Sequence, residues 1–504
     1  MRAPASGKRR SAPPAVLSAR LSGDQITLQA DADGTIAACF NGHSARLGKY
    51  PPGVLERAQA LRLGLPLASF AGERRADDPE IDRLVRRLAS HGLLEYRLRS
   101  PSGEVELVVI EPQMADYWPR LPKLGAGDRL VLSRFAYLRR RGQDMVLESP
   151  RAAALFRIGD PVIAATLASL SQPCSIAKLK QQNGFPGTDL LALLVDCRIV
   201  VKVDADSDEI PRAAEGDTNL VLWDFHDLVF HTRSTEGRQA NPLGGLYPYA
   251  ETMPAPPAIR PCWPGPAIAL PSSAAAQQPP TPLAKLLRER HSTRDFDDRH
   301  PITLAELSRL LELTARVQAK WQSRLELGEA AVEVDYAARP YPSGGSAYEL
   351  ELYLTVTHCA GLDRGFYHYD ADRHALTAIP VRPAEIDAML ASAEFAMDAA
   401  AAPQILITIT ERFDRVTWKY SAIAYALILK HVGVLTEALY LVATEMSLGG
   451  CAIGTSNIEL FARMTGIEFH IEGPVGQFAI GRADPSQDDR SRDDPGTPWI
   501  SSTR

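Results

Sequence analysis

The sequence predicts an α+β protein in which two winged-helix units precede an α+β domain, and three observations point there. From Thr281 to about Ala483 the pattern runs helix, strand, strand, helix, strand, long apolar helix, strand, which suits a sandwich better than a doubly wound βαβ series. No G-x-G-x-x-G follows a strand and no phosphate loop occurs, which argues against a Rossmann dinucleotide site and a nucleoside triphosphatase. The amino-terminal half carries a degenerate duplication, offset by roughly a hundred residues.

At 504 residues the chain exceeds one ordinary core, and a loose prior of ~150 residues per domain gives about three. Apolar residues make up 45% and charged residues 23%, ordinary for a globular protein. The net charge of −6 disfavours a generic polyphosphate-binding surface. Cys39, Cys174, Cys197, Cys262, Cys359 and Cys451 form no C-x-x-C pair. That argues against a disulfide framework or zinc knuckle and fits a reducing cytoplasm.

Taken in order, residues 1–18 are expected to form a loose tail, basic at Lys8, Arg9 and Arg10 but without the apolar run of a secretory signal. Residues 19–115 form the first winged-helix unit. It has a strand pair, Ile26–Leu28 with Thr35–Ile36, then a helical stripe at Ile81, Leu84, Val85 and Leu88, and an extended run after Gly92. Residues 120–210 repeat this, with Leu130–Leu132 paired to Met145–Leu147 and a helix-to-strand passage from Asp189 to Val203. Neither recognition helix is richly basic, which disfavours DNA binding.

Residues 215–280 are a connecting segment. The aromatic stretch Trp223–Ser234 is expected to pack on the carboxy-terminal domain, and the Pro/Ala/Ser-rich passage from Met253 to Pro280 cannot sustain a helix or central strand. Residues 281–484 form that domain. Its most apolar stretch, Tyr420–Met446, is broken by Lys430, His431, Glu437 and Glu445 and reads as a buried helix, not a membrane span. Residues 485–504 form a disordered polar tail.

Four motifs in this domain carry chemistry. Arg290-His-Ser-Thr-Arg-Asp-Phe296 gathers cations, an imidazole and hydroxyls, as a flavin phosphate and ribityl chain require, although it also describes a solvated helix start capped by Ser292 or Thr293. About fifty residues later, Arg339-Pro-Tyr-Pro-Ser-Gly-Gly-Ser346 is a tight polar turn feeding a strand. Lys419-Tyr420 stands ahead of the long apolar helix. After that helix, Met446–Asn457 is glycine-rich and reads plainly as a C-cap at Gly449 or Gly450 followed by a strand.

Together these motifs resemble the SagB-type, ThcOx-like azoline dehydrogenases of the nitroreductase superfamily, which aromatise thiazolines and oxazolines in modified peptides. The resemblance implies a nitroreductase-like fold, an FMN cofactor and a homodimer with flavin between protomers. It implies an azoline-containing precursor peptide as substrate, a cyclodehydratase as partner and dioxygen as electron acceptor, with no nucleic acid and no membrane. Arg290, His291, Ser292 and Arg294 would bind the flavin phosphate and ribityl hydroxyls, with Arg482 a further phosphate ligand. Pro342, Ser343, Gly344 and Ser346 would meet flavin across the dimer interface. The backbone of Gly454 and Thr455 would approach its N5 edge.

Lys419 and Tyr420 would be catalytic. Aromatisation removes one ring hydrogen as a proton and another as a hydride, so a base is needed beside the flavin. A phenol serves poorly unless a neighbouring ammonium favours its phenolate. Adjacent residues inside a helix point apart, so the pair works best at a helix entrance. Tyr425, about a turn further on, reads as core or as a weaker catalytic candidate. Ile423 and Ala426 stand where arginines often follow in the family, which leaves the peptide-facing wall of the pocket open.

The second winged-helix unit is similar to the PqqD-like domains that clasp a leader peptide as an added strand. A purely architectural unit is the alternative. For the whole chain, the rival readings are an NAD(P)H-dependent nitro- or quinone reductase and a non-catalytic precursor-peptide scaffold.

Overall fold

The computed structural model describes residues 15–484 except 41–42, 68–69, 71–77, 101, 104, 183–184, 204–214, 241–242, 245–246, 249, 261–265, 267, 271–280 and 328–329. Most of the amino-terminal tail, the carboxy-terminal tail from 485, Cys262 and much of the Pro-rich passage therefore lie outside the described residues. The chain divides into two compact units, one reaching to Arg233 and including residues 237–241, the other formed by Ser234–Glu236 and the remainder.

The first unit begins with β1 (Val16–Leu21), β2 (Thr27–Ala30), β3 (Thr35–Phe40), β4 (His43–Lys49), α1 (Val54–Ala58) and β5 (Leu65–Pro66). Residues 16–18, expected in the tail, are already in β1, where Val16 pairs with Arg99. Next come α2 (Pro79–Ser90), β6 (Leu94–Arg99) and β7 (Glu106–Pro112). α2 starts where its sequence says it should: Asp78 caps the Ile81 amide and Pro79 occupies the first turn. Its predicted stripe of Ile81, Leu84, Val85 and Leu88 is buried.

Then follow β8 (Arg129–Leu132), β9 (Tyr137–Arg141), β10 (Asp144–Glu148), β11 (Ala154–Ile158), α3 (Pro161–Ala168), β12 (Cys174–Ser175), α4 (Ile176–Leu179), α5 (Thr188–Asp196), β13 (Val200–Val203) and α6 (Phe225–Arg233). A seven-stranded sheet runs β5-β1-β6-β7-β11-β10-β9. It crosses the boundary expected between 115 and 120, because β7 pairs with β11, with Ile110 opposite Phe156. The two expected domains therefore share one sheet within one compact unit, beside two smaller three-stranded sheets, β12-β8-β13 and β2-β3-β4.

The predicted pair of β2 with β3 forms, with Leu28 opposite Ala38. The predicted pairing of Leu130–Leu132 with Met145–Leu147 does not. β10 instead closes a hairpin with β9 across Gly142, whose φ of 61° suits the tight turn, while β8 joins β12 and β13. A local two-residue connection costs less loop entropy than the distant pairing. The aromatic stretch also departs from expectation by packing in this first unit: the Phe225 ring lies 5.8 Å from Tyr137 and Arg233 ion-pairs with Glu148.

The second unit contains α7 (Pro282–Glu289), α8 (Leu304–Thr314), β14 (Ala319–Leu327), β15 (Ala330–Ala338), β16 (Leu350–Val356), β17 (Gly365–Asp370), β18 (Ala375–Ile379) and α9 (Pro383–Met397). It continues with β19 (Ile405–Arg412), α10 (Phe413–Thr417), α11 (Ala424–Glu445), β20 (Leu448–Ile453), α12 (Ile458–Thr465) and β21 (Glu472–Arg482). Its six-stranded antiparallel sheet runs β18-β17-β16-β19-β21-β20. α9 and α12 cover one face through Met389, Leu390, Phe461 and Met464, against Tyr353, Leu406 and Ala479. α11 packs on β20 and β21, with Tyr440 edge-on to Phe478 at 4.9 Å. β14 and β15, which the predicted order does not separate out, form a ribbon of their own.

α11 begins at Ala424, four residues later than Tyr420. By length and composition it is the helix among the described residues that is apolar enough to cross a membrane; here it packs against β20, β21 and α8. It ends at Glu445, and Ser447 takes the left-handed backbone with φ 55°. Gly449 and Gly450 are thus not the cap. They lie inside β20, where a Cβ on Gly449 would come 2.5 Å from Thr293 and one on Gly450 would run into Phe478.

Candidate active site

The Arg290–Phe296 stretch leaves α7 in extended form, since Arg290 has ψ 123° and cannot continue the helix. It then runs beside β20, where the Thr293 amide donates to the Gly450 carbonyl at 2.8 Å. The missing side chain of Gly449 allows that approach. Tyr440 of α11 anchors the stretch: its hydroxyl meets Ser292 Oγ at 2.9 Å and accepts the Ala452 amide at 2.8 Å, while the Arg290 guanidinium sits 5.0 Å from its ring centre. Burial pushes the Cys451 thiol above its ordinary value, partly offset by Arg294 and the Ser292 hydroxyl, which places both beside β20. Two guanidiniums and a hydroxyl on one extended stretch are a donor set suited to an anionic ligand. His291 is exposed, with Nδ1 2.9 Å from the Glu289 carbonyl.

The other end of β20 turns out at Gly454, which is exposed with open space where a Cβ would sit, and Thr455 follows half-buried. Arg482, expected as a further phosphate ligand, is ion-paired with a residue of α8. Its guanidinium reaches both oxygens of Glu306 at 2.7 Å, and although burial works against it, this pair and Thr303 hold the Glu306 carboxyl below its ordinary range.

The second cluster gathers the remaining predicted residues. Lys419 and Tyr420 fall in the break between α10 and α11, both amides turning back to the Val416 carbonyl, so the two side chains escape the divergence of a regular helix. They converge on the turn at 342–346. Lys419 Nζ donates to the Gly345 carbonyl at 3.2 Å. A Cβ on Gly345, whose φ is 62°, would lie 2.6 Å from the Tyr420 hydroxyl and would collide with Lys419 Nζ. The ammonium and the phenol are therefore side by side over one glycine. Tyr336 of β15 lines the far side, its ring centre 5.9 Å from Lys419 Nζ. Pro342 is exposed and Ser346, with φ 53°, is half-buried.

Behind this turn lie groups that the sequence reading did not single out as functional. His431 of α11 accepts the Gly344 amide at Nε2, 2.8 Å, and bonds through Nδ1 to Glu349, whose side chain is fully buried. Ser343 Oγ donates to the other Glu349 oxygen at 3.1 Å and accepts the Tyr348 amide at 3.0 Å. Glu411 of β19 is also fully buried, and neither of its oxygens has a hydrogen-bond partner among the described residues. Burial, and then the charge of Glu349, push its carboxyl well above the ordinary carboxylate range. The available signal was His431 breaking an apolar helical run. Glu349 gives none, because its position beside β16 resembles any polar strand residue.

The two clusters meet α11 at His431 and Tyr440, nine residues and so about 13 Å apart along its axis.

Residues 287–482 match the nitroreductase family, and residues 130–240 match the family described as cyanobactin oxidase ThcOx. A protein of Methanocaldococcus jannaschii described as a nitroreductase is 27% identical over 172 residues, covering 34% of this chain and 78% of that one. Among solved structures, the E. coli microcin synthetase McbBCD complex with truncated pro-MccB17 bound is similar at a TM-score of 0.38 and 17% identity, over 53% of this chain and 96% of the other. A structure from Ralstonia eutropha described as a nitroreductase gives 0.31 and 20%, over 45% and 97%. The carboxy-terminal domain is an oxidoreductase domain of the nitroreductase superfamily. The match at 130–240 adds a second, separate likeness, to part of a cyanobactin oxidase of the ThcOx type.

Proposed function

We propose that this chain is an FMN-dependent azoline dehydrogenase, converting thiazolines or oxazolines of a ribosomally made precursor peptide to thiazoles or oxazoles, with dioxygen as terminal acceptor. The observation that carries the reading is the convergence of Lys419 and Tyr420 on Gly345 within a nitroreductase-family domain. FMN, when bound, supplies the hydride acceptor for the ring carbon. Arg290, Ser292 and Arg294, with His291 beside them, would hold its phosphate and ribityl hydroxyls. Gly454 and Thr455 would offer backbone at its reactive edge, and the 342–346 turn would close on it.

Tyr420, whose oxygen stands over Gly345 beside the Lys419 ammonium, is the base that takes the ring proton, and the Gly345 carbonyl keeps that ammonium in place. A second protomer would complete each flavin site, as the family resemblance implies. In this reading α3, α4 and α5 with β8, β12 and β13 make up the winged-helix unit, and a leader peptide would add to β9, the edge strand of the seven-stranded sheet. An upstream cyclodehydratase must supply the azoline.

The test is an anaerobic absorbance titration of the purified protein with a synthetic thiazoline-containing peptide. The expected result is bleaching of the flavin band, recovery on admitting air, and thiazole in the product. Bleaching by NAD(P)H alone would make the protein a nitro- or quinone reductase, and a colourless protein that binds the peptide would make it a scaffold.

A further inference from the structure

We infer that Glu349 and His431 are positioning residues for the Lys419–Tyr420 pair, a buried dyad that fixes the 342–346 turn so that Gly345 presents its carbonyl to the Lys419 ammonium. The inference rests on the proposed azoline oxidation and extends it to two residues to which no role has been assigned.

The hydrogen bonds determine the protonation pattern. The Gly344 amide can only donate, so His431 Nε2, 2.8 Å away, must be the bare nitrogen. The imidazole proton therefore sits on Nδ1 and is given to Glu349. The second Glu349 oxygen accepts from Ser343, which in turn accepts the Tyr348 amide. Three groups of the turn and the residues just after it, the amides of Gly344 and Tyr348 and the Ser343 hydroxyl, are thus tied directly, through the imidazole or through the hydroxyl to a single buried carboxylate. Burying a carboxylate and an imidazole costs free energy that an apolar pair would not, unless the hydrogen bonds do something an apolar pair cannot.

What they do here is hold a strained backbone. Gly345, Ser346 and Tyr348 all have positive φ, at 62°, 53° and 44°. Two of the three are not glycine, so the turn stays in this form only if its surroundings over-determine it. Without the dyad, the turn loses its tether on the side opposite Lys419. The Gly345 carbonyl then no longer stands where Lys419 Nζ meets it at 3.2 Å. Among the described residues no hydrogen bond or ion pair joins Glu349 or His431 to Lys419 or Tyr420, so the effect travels through the turn.

The experiment is a double-mutant cycle on anaerobic flavin reduction by a synthetic thiazoline-containing peptide, using the full chain with its flavin. His431→Leu is expected to lower the maximal rate at least tenfold, with the half-saturating peptide concentration within about twofold of wild type. In a Lys419→Ala background the same substitution is expected to cost less than about twofold more, because its effect runs through a contact already lost. Equal costs in both backgrounds would overturn the inference, since a general loss of folding does not depend on Lys419. If His431→Leu cannot be purified with flavin, Glu349→Gln takes its place. Its amide oxygen can still accept from Nδ1, so a rate between those of wild type and Glu349→Leu supports the dyad, and a Glu349→Leu rate equal to wild type overturns it. If wild type itself leaves the flavin unbleached, the proposed function has failed instead; an active wild type with an equally active His431→Leu isolates the failure to the dyad.

Discussion

Tyr420 differs from three tyrosines packed in or against the sheet of its unit. Tyr341, Tyr353 and Tyr369 are buried among the sheet strands, and burial pushes their hydroxyls up, to about 12 for Tyr369. Tyr420 is half-buried, outside regular structure and beside an ammonium, so it is placed to exchange a proton with something arriving from solvent. Tyr420→Phe should keep flavin content and melting temperature and lower turnover by about a hundredfold or more, the usual worth of a general base; steady-state kinetics with a flavin absorbance assay would measure both. The Lys419–Tyr420 pairing could be read from adjacent letters because the two residues are neighbours in the chain. Glu349 and His431 could not, since 82 residues separate them and only the fold makes them a pair. The partner of Arg482 was hidden for the same reason: a terminal cation looks unpaired in sequence until the fold brings Glu306 against it.

At the scale of elements, β19 carries an oddity, a fully buried carboxyl at its end. Glu411 holds its proton more tightly in the folded chain than in the unfolded one. The folded state therefore binds more protons from the ordinary glutamate range upward, and stability falls as pH rises through that interval. Glu411→Gln removes the titration while keeping the shape. It should melt a few degrees above wild type at pH 8, and the gap should narrow as the pH is lowered towards 4; differential scanning calorimetry at the two pH values is the check.

The helices α2 and α11 were legible because apolar period and breakers are local signals. The end of α11 was misplaced because a glycine pair can cap a helix or relieve a close packing contact, and only Thr293 and Phe478 decide which. The β8 and β10 pairing failed similarly, since strand partners are chosen by chain connection and burial that no single strand displays.

For the whole molecule, the proposed arrangement makes cofactor binding and self-association one equilibrium. On dilution, flavin should leave in step with the fall from dimer to monomer; analytical ultracentrifugation read at both protein and flavin wavelengths would show it. A monomer that keeps stoichiometric FMN would remove the shared-site reading. The fold class of the second unit was legible because its order of elements and four motifs are linear features. The organisation of the first unit was not, because duplication in sequence suggested a partition that the pairing of β7 with β11 denies. That pairing also bears on how such a chain can have been assembled. A genetic crossover between the codons for Gln113 and Leu121 would join halves whose facing edges had never been selected together. A break placed there would part β7 from β11 and leave two strand edges open.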